Sequence, residues 1–279
     1  MTIEINTVSF VGAGHMGQLI AVEAAIFEYS IRFYDIDPAA LEQAKKSMRK
    51  AKRRKKDKVL KSVTYHDDLA SAVKDVDLVI EAVPEILELK KEIFTEIDKA
   101  APPHAIIATN SSSIPVSKIE DAVSRKDKVL NLHFYQPIQS SNMVDIMRGT
   151  QTSDETFETG KKWIESINCV PLVVKKECLG FVFNRIWHAV KKECLKIWAG
   201  SHADIETVDQ AWKIWSGMPL GPFRMMDNVG LDVVYDIEMS YYNDSGNPQD
   251  KPPQALKDMI DRGELGVKSD KGFYVWREK

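Results

Sequence analysis

Thr7-Val8-Ser9-Phe10-Val11-Gly12-Ala13-Gly14-His15-Met16-Gly17 is the stretch whose reading decides the fold. Residues 7–11 form a β-branched and aromatic run, the pattern of a buried strand. The run passes directly into G-x-G-x-x-G, and a helix is expected over about 16–27. Gly12 permits the tight turn. Gly14 lets the backbone approach a pyrophosphate, and Gly17 lets helix and strand pack closely with the helix N-terminus facing the phosphates. Residues 31–34 read as the next strand. It ends at Asp35, 23 residues after Gly12, close to the ~20 expected for the acid that binds a ribose 2′-hydroxyl. A carboxylate there repels a 2′-phosphate, so the pattern favours NAD over NADP.

Working outward, strands and helices alternate. Asp37-Pro38 marks a helix start, with Asp as N-cap and Pro in the first turn. Leu41, Ala44 and Met48 give that helix one apolar stripe, which fades where the chain becomes polar all round over 52–58. Residues 76–82 form a near-continuous apolar strand, as expected for a sheet covered on both faces. A charged helix over 87–100, a strand over 105–109, a polar segment over 110–113 and a strand over 128–134 follow. A further strand over 143–147, a helix over 154–166 and a strand over 170–174 complete the series. The fold class is α/β, a Rossmann-type doubly wound, mostly parallel sheet. From about residue 180 the period changes, with Ile186, Val190, Cys194 and Ile197 at helical spacing and five of the six Trp. The expected division is an NAD-binding domain over 1–180 and an all-helical C-terminal domain over 181–279. There is no internal repeat.

The 279 residues carry a net charge of −3 that conceals an asymmetry. Residues 45–61 hold eleven Lys or Arg and one acid, a net of +10, which leaves 27 basic against 40 acidic residues elsewhere. A basic arm on an acidic body points to an anionic partner. Phosphate contacts alone would let such an arm bind nucleic acid. It contains no aromatic residue for stacking on bases, however, and the body is acidic, which argues against that partner. No apolar run approaches the ~18 to 20 residues that span a bilayer, so no membrane partner is expected. Residues 1–11 lack the basic start and apolar middle of a signal peptide. Cys169, Cys178 and Cys194 are odd in number and lack metal-ligand spacing, so reduced thiols, a cytoplasmic location and no metal site are expected.

Further segments then share one pattern. They are Val79-Ile80-Glu81-Ala82-Val83-Pro84-Glu85, Thr109-Asn110-Ser111-Ser112-Ser113 and His133-Phe134-Tyr135-Gln136-Pro137. Gly180-Phe181-Val182-Phe183-Asn184-Arg185, Met218-Pro219-Leu220-Gly221-Pro222-Phe223 and the tail around Gly266 and Gly272-Phe273-Tyr274 follow in order. Together with the glycine motif the chain resembles the L-3-hydroxyacyl-CoA dehydrogenases, of the 3-hydroxybutyryl-CoA dehydrogenase type, over nearly its whole length. The resemblance implies NAD-dependent oxidation of a 3-hydroxyacyl-CoA, with His133 as general base. Its pKa near neutrality suits that task, and an acid must orient the ring and balance its charge. In the family this acid is a Glu twelve residues on; here it is Asp145. Ser112 matches the serine that hydrogen-bonds the substrate oxygen, and Asn184 an asparagine reaching the same site. Glu85, Lys90 and Asn110 match cofactor-side positions, although a solvated helix start accounts for Glu85 and Lys90 almost as well. Ser112 also fits plain turn chemistry, and Asn184 also fits an N-cap. A homodimer through the helical domain is implied by the same resemblance.

Three departures stand out. Asp145 replaces Glu, and Gln136 replaces the Asn before Pro. If Gln136 and Asp145 touch, the longer and the shorter side chain compensate. The segment preceding residue 76 is shorter by roughly a dozen residues than the family's usual CoA-holding helix pair, by the resemblance, and far more basic. Arg49, Arg53 and Arg54 are therefore candidates for CoA phosphates. A shortened platform equally suits a free 3-hydroxy acid of the carnitine or sugar-acid type. A third alternative is a non-catalytic NAD- or nucleic-acid-binding protein.

Overall fold

The structure is a computed structural model that describes residues 4–54 and 63–276, with only the backbone of Lys52, Arg53 and Arg54. The chain divides into two compact units, Met1–Val182 and Phe183–Lys279.

The first unit runs β1 (Thr7–Val11), α1 (His15–Ile26), β2 (Ser30–Tyr34), α2 (Pro38–Arg54), β3 (Val63–His66), α3 (Leu69–Val73) and β4 (Leu78–Glu81). It continues with α4 (Leu87–Ala100), β5 (Ile106–Thr109), β6 (Val129–Phe134), α5 (Ile138–Ser141), β7 (Met143–Arg148), α6 (Asp154–Ser166) and β8 (Val170–Val174). The strands form one sheet in the order β3-β2-β1-β4-β5-β6-β7-β8. Every pairing is parallel except β6 with β7. This is the Rossmann-type, mostly parallel sheet that the alternating pattern calls for.

Alternation along each strand feeds two cores. Val8, Phe10, Leu78, Ile80, Ile106, Ala108, Leu130 and Leu132 join one core with α1, α2 and α6. Val11, Val79, Ile107 and Val129 join the other, beneath α3 and α4. Both faces are apolar because both are covered by helices. The short β3 and α3 have no counterpart in the sequence reading. An edge strand of four half-exposed residues carries almost no apolar signal. The five-residue α3 is held by its cap, Asp68, whose carboxylate accepts from the Ser71 amide at 2.8 Å.

The second unit consists of α7 (Phe183–Ala199), α8 (Ile205–Ser216), α9 (Pro222–Val229), α10 (Leu231–Ser245) and α11 (Gln254–Asp261). Cys194, Leu195, Phe223, Met226, Leu231, Val234, Leu256, Met259 and Phe273 form its core. Two buried acids fasten it. Asp209 accepts from the Phe223 and Arg224 amides at the start of α9, at 2.8 and 3.1 Å. Asp227, fully buried in α9, accepts from the amides of Phe273 and Tyr274 and from the Trp276 indole, at 2.8 to 2.9 Å. The C-terminal segment is thus tied to α9 by one carboxylate. Asp227→Ala would leave those donors unpaired in a buried site. The expected loss is about 3 kcal/mol, read as a lower denaturant midpoint for the tryptophan fluorescence transition.

Candidate active site

The glycine turn is built to accept a dinucleotide. Gly12 holds φ at +106°, and a Cβ there would lie 2.6 Å from the Ala82 carbonyl oxygen. A Cβ on Gly17 would lie 2.1 Å from the Gly12 carbonyl oxygen, so helix and turn pack without room for a methyl group. Gly14 is the opposite: a Cβ there would meet nothing within 4 Å, so its backbone is open to a ligand. Gly14 also caps α1 with no side-chain hydrogen bond, which leaves the first-turn amides free for phosphate oxygens. Asp35, at the end of β2, accepts from the Ala13 amide at 2.7 Å and the Asp37 amide at 2.9 Å. Its carboxylate is therefore locked beside the glycine turn.

Beyond β4 lies a buried ionic cluster. Glu81 accepts from Lys90 Nζ at 2.8 and 3.1 Å, from the Val83 amide at 2.7 Å and from the Thr109 hydroxyl at 2.7 Å. Lys90 is only 1% exposed, and its ammonium also meets Glu85 at 3.2 Å. A solvated helix start is thereby excluded for Lys90. Glu85 in turn accepts from the Ser113 hydroxyl and amide, the Ile114 amide and the Ser111 hydroxyl. Burial raises the Glu85 pKa, but the Ser111 hydrogen bond, the Lys90 charge and the Ser113 bonds outweigh it and bring it down to about 2. The cluster thus orders loop 110–114.

That loop is laced to β6 beside His133. The Phe134 amide donates to Asn110 Oδ1 at 3.0 Å, and Asn131 Nδ2 donates to the Ser111 carbonyl at 3.1 Å. Ser112 is exposed, and its hydroxyl has no hydrogen-bond partner among the described residues. The antiparallel register sets His133 directly opposite Asp145. Their Nδ1 and Oδ2 atoms are 3.2 Å apart, with Asp145 fully buried. A carboxylate accepts only, so Nδ1 carries a proton, and in the neutral form of the ring Nε2 is the acceptor. The imidazole is held edge-on by Tyr135, with ring centroids 4.5 Å apart, and is flanked by the tilted ring of Phe181 at 5.3 Å. Phe181 takes a φ of +50°, an uncommon backbone conformation for an aromatic residue, following Gly180 at +76°.

Gly12, Gly14, Gly17 and Asp35 thus gather at one turn, and Glu85, Lys90, Asn110 and Ser112 lie on or against the loop beside His133 and Asp145. Asn184 is the second residue of α7, inside the helix rather than at its N-cap position, and belongs to the second unit. Arg49 is exposed on α2. The side chains of Arg53 and Arg54, and residues 55–62 of the basic arm, lie outside the described residues.

The question of compensation at Gln136 is answered by its partner. Gln136 makes no hydrogen bond to Asp145; its Oε1 lies 2.8 Å from Nε2 of His15, within the glycine motif. The partner of Asp145 besides His133 is Tyr135, whose hydroxyl donates to Oδ2 at 2.5 Å. The period of extended chain explains this: residues 133 and 135 share a side, and residue 136 faces away. Tyr135 and the His15–Gln136 contact are the residues that motif reading missed, and the alternation of two would have found the first. Among the described residues there is no cluster that could hold a metal ion. No helix among them is long and apolar enough to cross a membrane.

Comparison with known proteins adds the following. Residues 7–178 match the family described as 3-hydroxyacyl-CoA dehydrogenase, NAD binding domain, and residues 180–276 match 3-hydroxyacyl-CoA dehydrogenase, C-terminal domain. A probable 3-hydroxybutyryl-CoA dehydrogenase of Bacillus subtilis is 31% identical over 99% of both chains. The crystal structure of (S)-3-hydroxybutyryl-CoA dehydrogenase from Ralstonia eutropha superposes with a TM-score of 0.90 at 30% identity, covering 99% of this chain and 100% of that one. A diketoreductase acting on dicarbonyl compounds superposes with a TM-score of 0.86 at 34% identity, covering 98% and 99%.

Two outcomes are expected of the cofactor side. Gly17→Ala forces the turn apart and weakens NADH binding, followed by fluorescence titration, by roughly 10- to 100-fold, the scale on which ~1 Å misplacements act. Glu85 is held below its ordinary value, so its stabilisation is complete above about pH 4.5 and is lost as pH falls toward 2. The stability gap between the wild type and Glu85→Gln, measured by denaturant titration, should therefore narrow over that window.

Proposed function

Because the chain belongs to the 3-hydroxyacyl-CoA dehydrogenase family of NAD-dependent oxidoreductases, we propose that it oxidises an L-3-hydroxyacyl-CoA, such as 3-hydroxybutyryl-CoA, to the 3-oxoacyl-CoA. The observation that carries this reading is the His133–Asp145 pair, with the loop that carries Ser112 hydrogen-bonded to β6 and a glycine turn shaped for a dinucleotide.

The residues divide the work as follows. Gly12, Gly14 and Gly17 admit the pyrophosphate of NAD, Asp35 takes the adenosine ribose, and Glu85 and Asn110 order the loop on the cofactor side. Bound NAD supplies the hydride acceptor. His133 Nε2 takes the hydroxyl proton of the substrate, and Asp145 balances the imidazolium that results. Ser112 donates to the substrate oxygen, and Asn184 contributes to the same site by the resemblance. Arg49, with Arg53 and Arg54 on the same arm, attracts the CoA phosphates. The protein is read as a cytoplasmic homodimer. Its three cysteines are free, and Ile214, Trp215, Val233 and Ile237 expose apolar surface on the helical unit.

A second reading keeps the hydride chemistry and changes the substrate to a free 3-hydroxy acid. Its support is the likeness to a diketoreductase, together with the short, basic segment before β4. NADH oxidation with acetoacetyl-CoA, free acetoacetate and 3-dehydrocarnitine separates the two. The CoA thioester should give the highest kcat/KM; a preference for either free acid supports the second reading. His133→Asn should lower kcat by about 10²- to 10⁴-fold, the usual scale for a lost general base. Arg49→Gln should raise KM for acetoacetyl-CoA without changing KM for small substrates.

A further inference from the structure

Asp145 is a buried carboxylate with an uneven set of partners. Oδ2 takes both the Nδ1–H of His133 at 3.2 Å and the hydroxyl of Tyr135 at 2.5 Å. Oδ1 is buried and has no hydrogen-bond partner among the described residues. The imidazole bond sits at the long end of the N–H···O range, and the phenol bond at the short end of O–H···O. The phenol is thus a second anchor that fixes the carboxylate beside the imidazole.

Tyr135 lies two residues beyond His133, on the same side of the extended chain, and is itself buried. Its ring edge packs on the imidazole at an interplanar angle of 73°, so one side chain touches both members of the pair. An aspartate is one methylene shorter than the glutamate which the resemblance places here. Without a second anchor, a short carboxylate holding one long hydrogen bond would rotate toward its unpartnered oxygen.

The geometry points to Tyr135 as the positioning residue of the His133–Asp145 pair. Its hydroxyl pins Asp145 within reach of His133 and tempers the pull of the carboxylate on the imidazolium. This rests on His133 being the general base, and it names the residue that sets the working pH of that base. A donor to Oδ2 draws charge from the oxygen that faces Nδ1, so removing it strengthens the hold on a protonated ring.

Tyr135→Phe keeps the ring and deletes one O–H. The expected result is a fall in kcat of about tenfold, the scale of a hydrogen bond to a charged group, with KM unchanged. The acidic limb of the kcat/KM profile for 3-hydroxyacyl oxidation should move to higher pH. Asp145→Glu alone should lose activity, because the added methylene drives the carboxylate into the phenol. In the Tyr135→Phe background the same change should restore most of the lost rate. The His133 ring titration, followed by NMR in the free protein, should shift upward in Tyr135→Phe. An unmoved pH limb and titration, or losses that simply multiply in the double variant, overturn the assignment. Full activity of His133→Asn would strike the general-base reading instead, and the NMR titration would still decide whether Tyr135 controls the His133–Asp145 pair.

Discussion

A strand covered on both faces offers no place for a charge along its length unless a partner is built beside it, and that constraint arranges the first unit. The interiors of β1, β4, β5 and β6 feed two cores with mostly apolar side chains, Ser9 and Asn131 being the buried polar exceptions. Polar groups gather where the strands end. Asp35 follows β2, Glu81 closes β4, Asn110 follows β5, and His133 is the penultimate residue of β6. The ligand-facing edge of such a sheet follows from this exclusion as much as from any motif. The exclusion also explains why Lys90 is buried: Glu81 has no exposed surface, and a cation must be brought to it.

The two fully buried carboxylates of the sheet, Glu81 and Asp145, are treated differently. Glu81 is surrounded by an ammonium, an amide and a hydroxyl, and both of its oxygens are used. It is a structural post for the loop that carries Ser112. Asp145 has one oxygen engaged twice and the other unpartnered among the described residues. A carboxylate whose charge is already neutralised has little left to offer an imidazolium. One that is under-satisfied gains its strongest interaction only when the ring takes a proton, which is when a base needs it. The incomplete satisfaction of Asp145 therefore suits its proposed task, and complete satisfaction suits the task of Glu81.

What was legible in the sequence was what chemistry or burial forces on single positions. Gly12 and Gly17 cannot be replaced without collision, so their spacing is readable. Strands buried on both faces appear as continuous apolar runs. What was illegible depended on pairing. Whether Gln136 meets Asp145 was open in the sequence, and residue 136 instead faces the glycine turn, where His15 meets it. The burial of Lys90 was invisible because a charged helix looks solvated until its partners Glu81 and Glu85 are placed around it. β3 and α3 escaped because an edge strand and a single capped turn bury too little to leave a period.

The basic arm can be set in proportion by distance. Leu41, Ala44, Met48 and Ala51 are all buried, so α2 is anchored by a continuous stripe as far as residue 51 and holds Lys46, Arg49 and Lys50 on its exposed side. At the ~1.5 Å rise of an α-helix, Arg49 lies roughly 16 Å along the axis from Pro38. The screening length at physiological ionic strength is about 8 Å. The charges at the far end of α2 therefore act only weakly on Asp35, which stands just before the helix begins. Asp35 and the exposed charges around Arg49 are thus electrostatically separate. The charge on the exposed side of α2 can then change without disturbing the carboxylate beside the glycine turn.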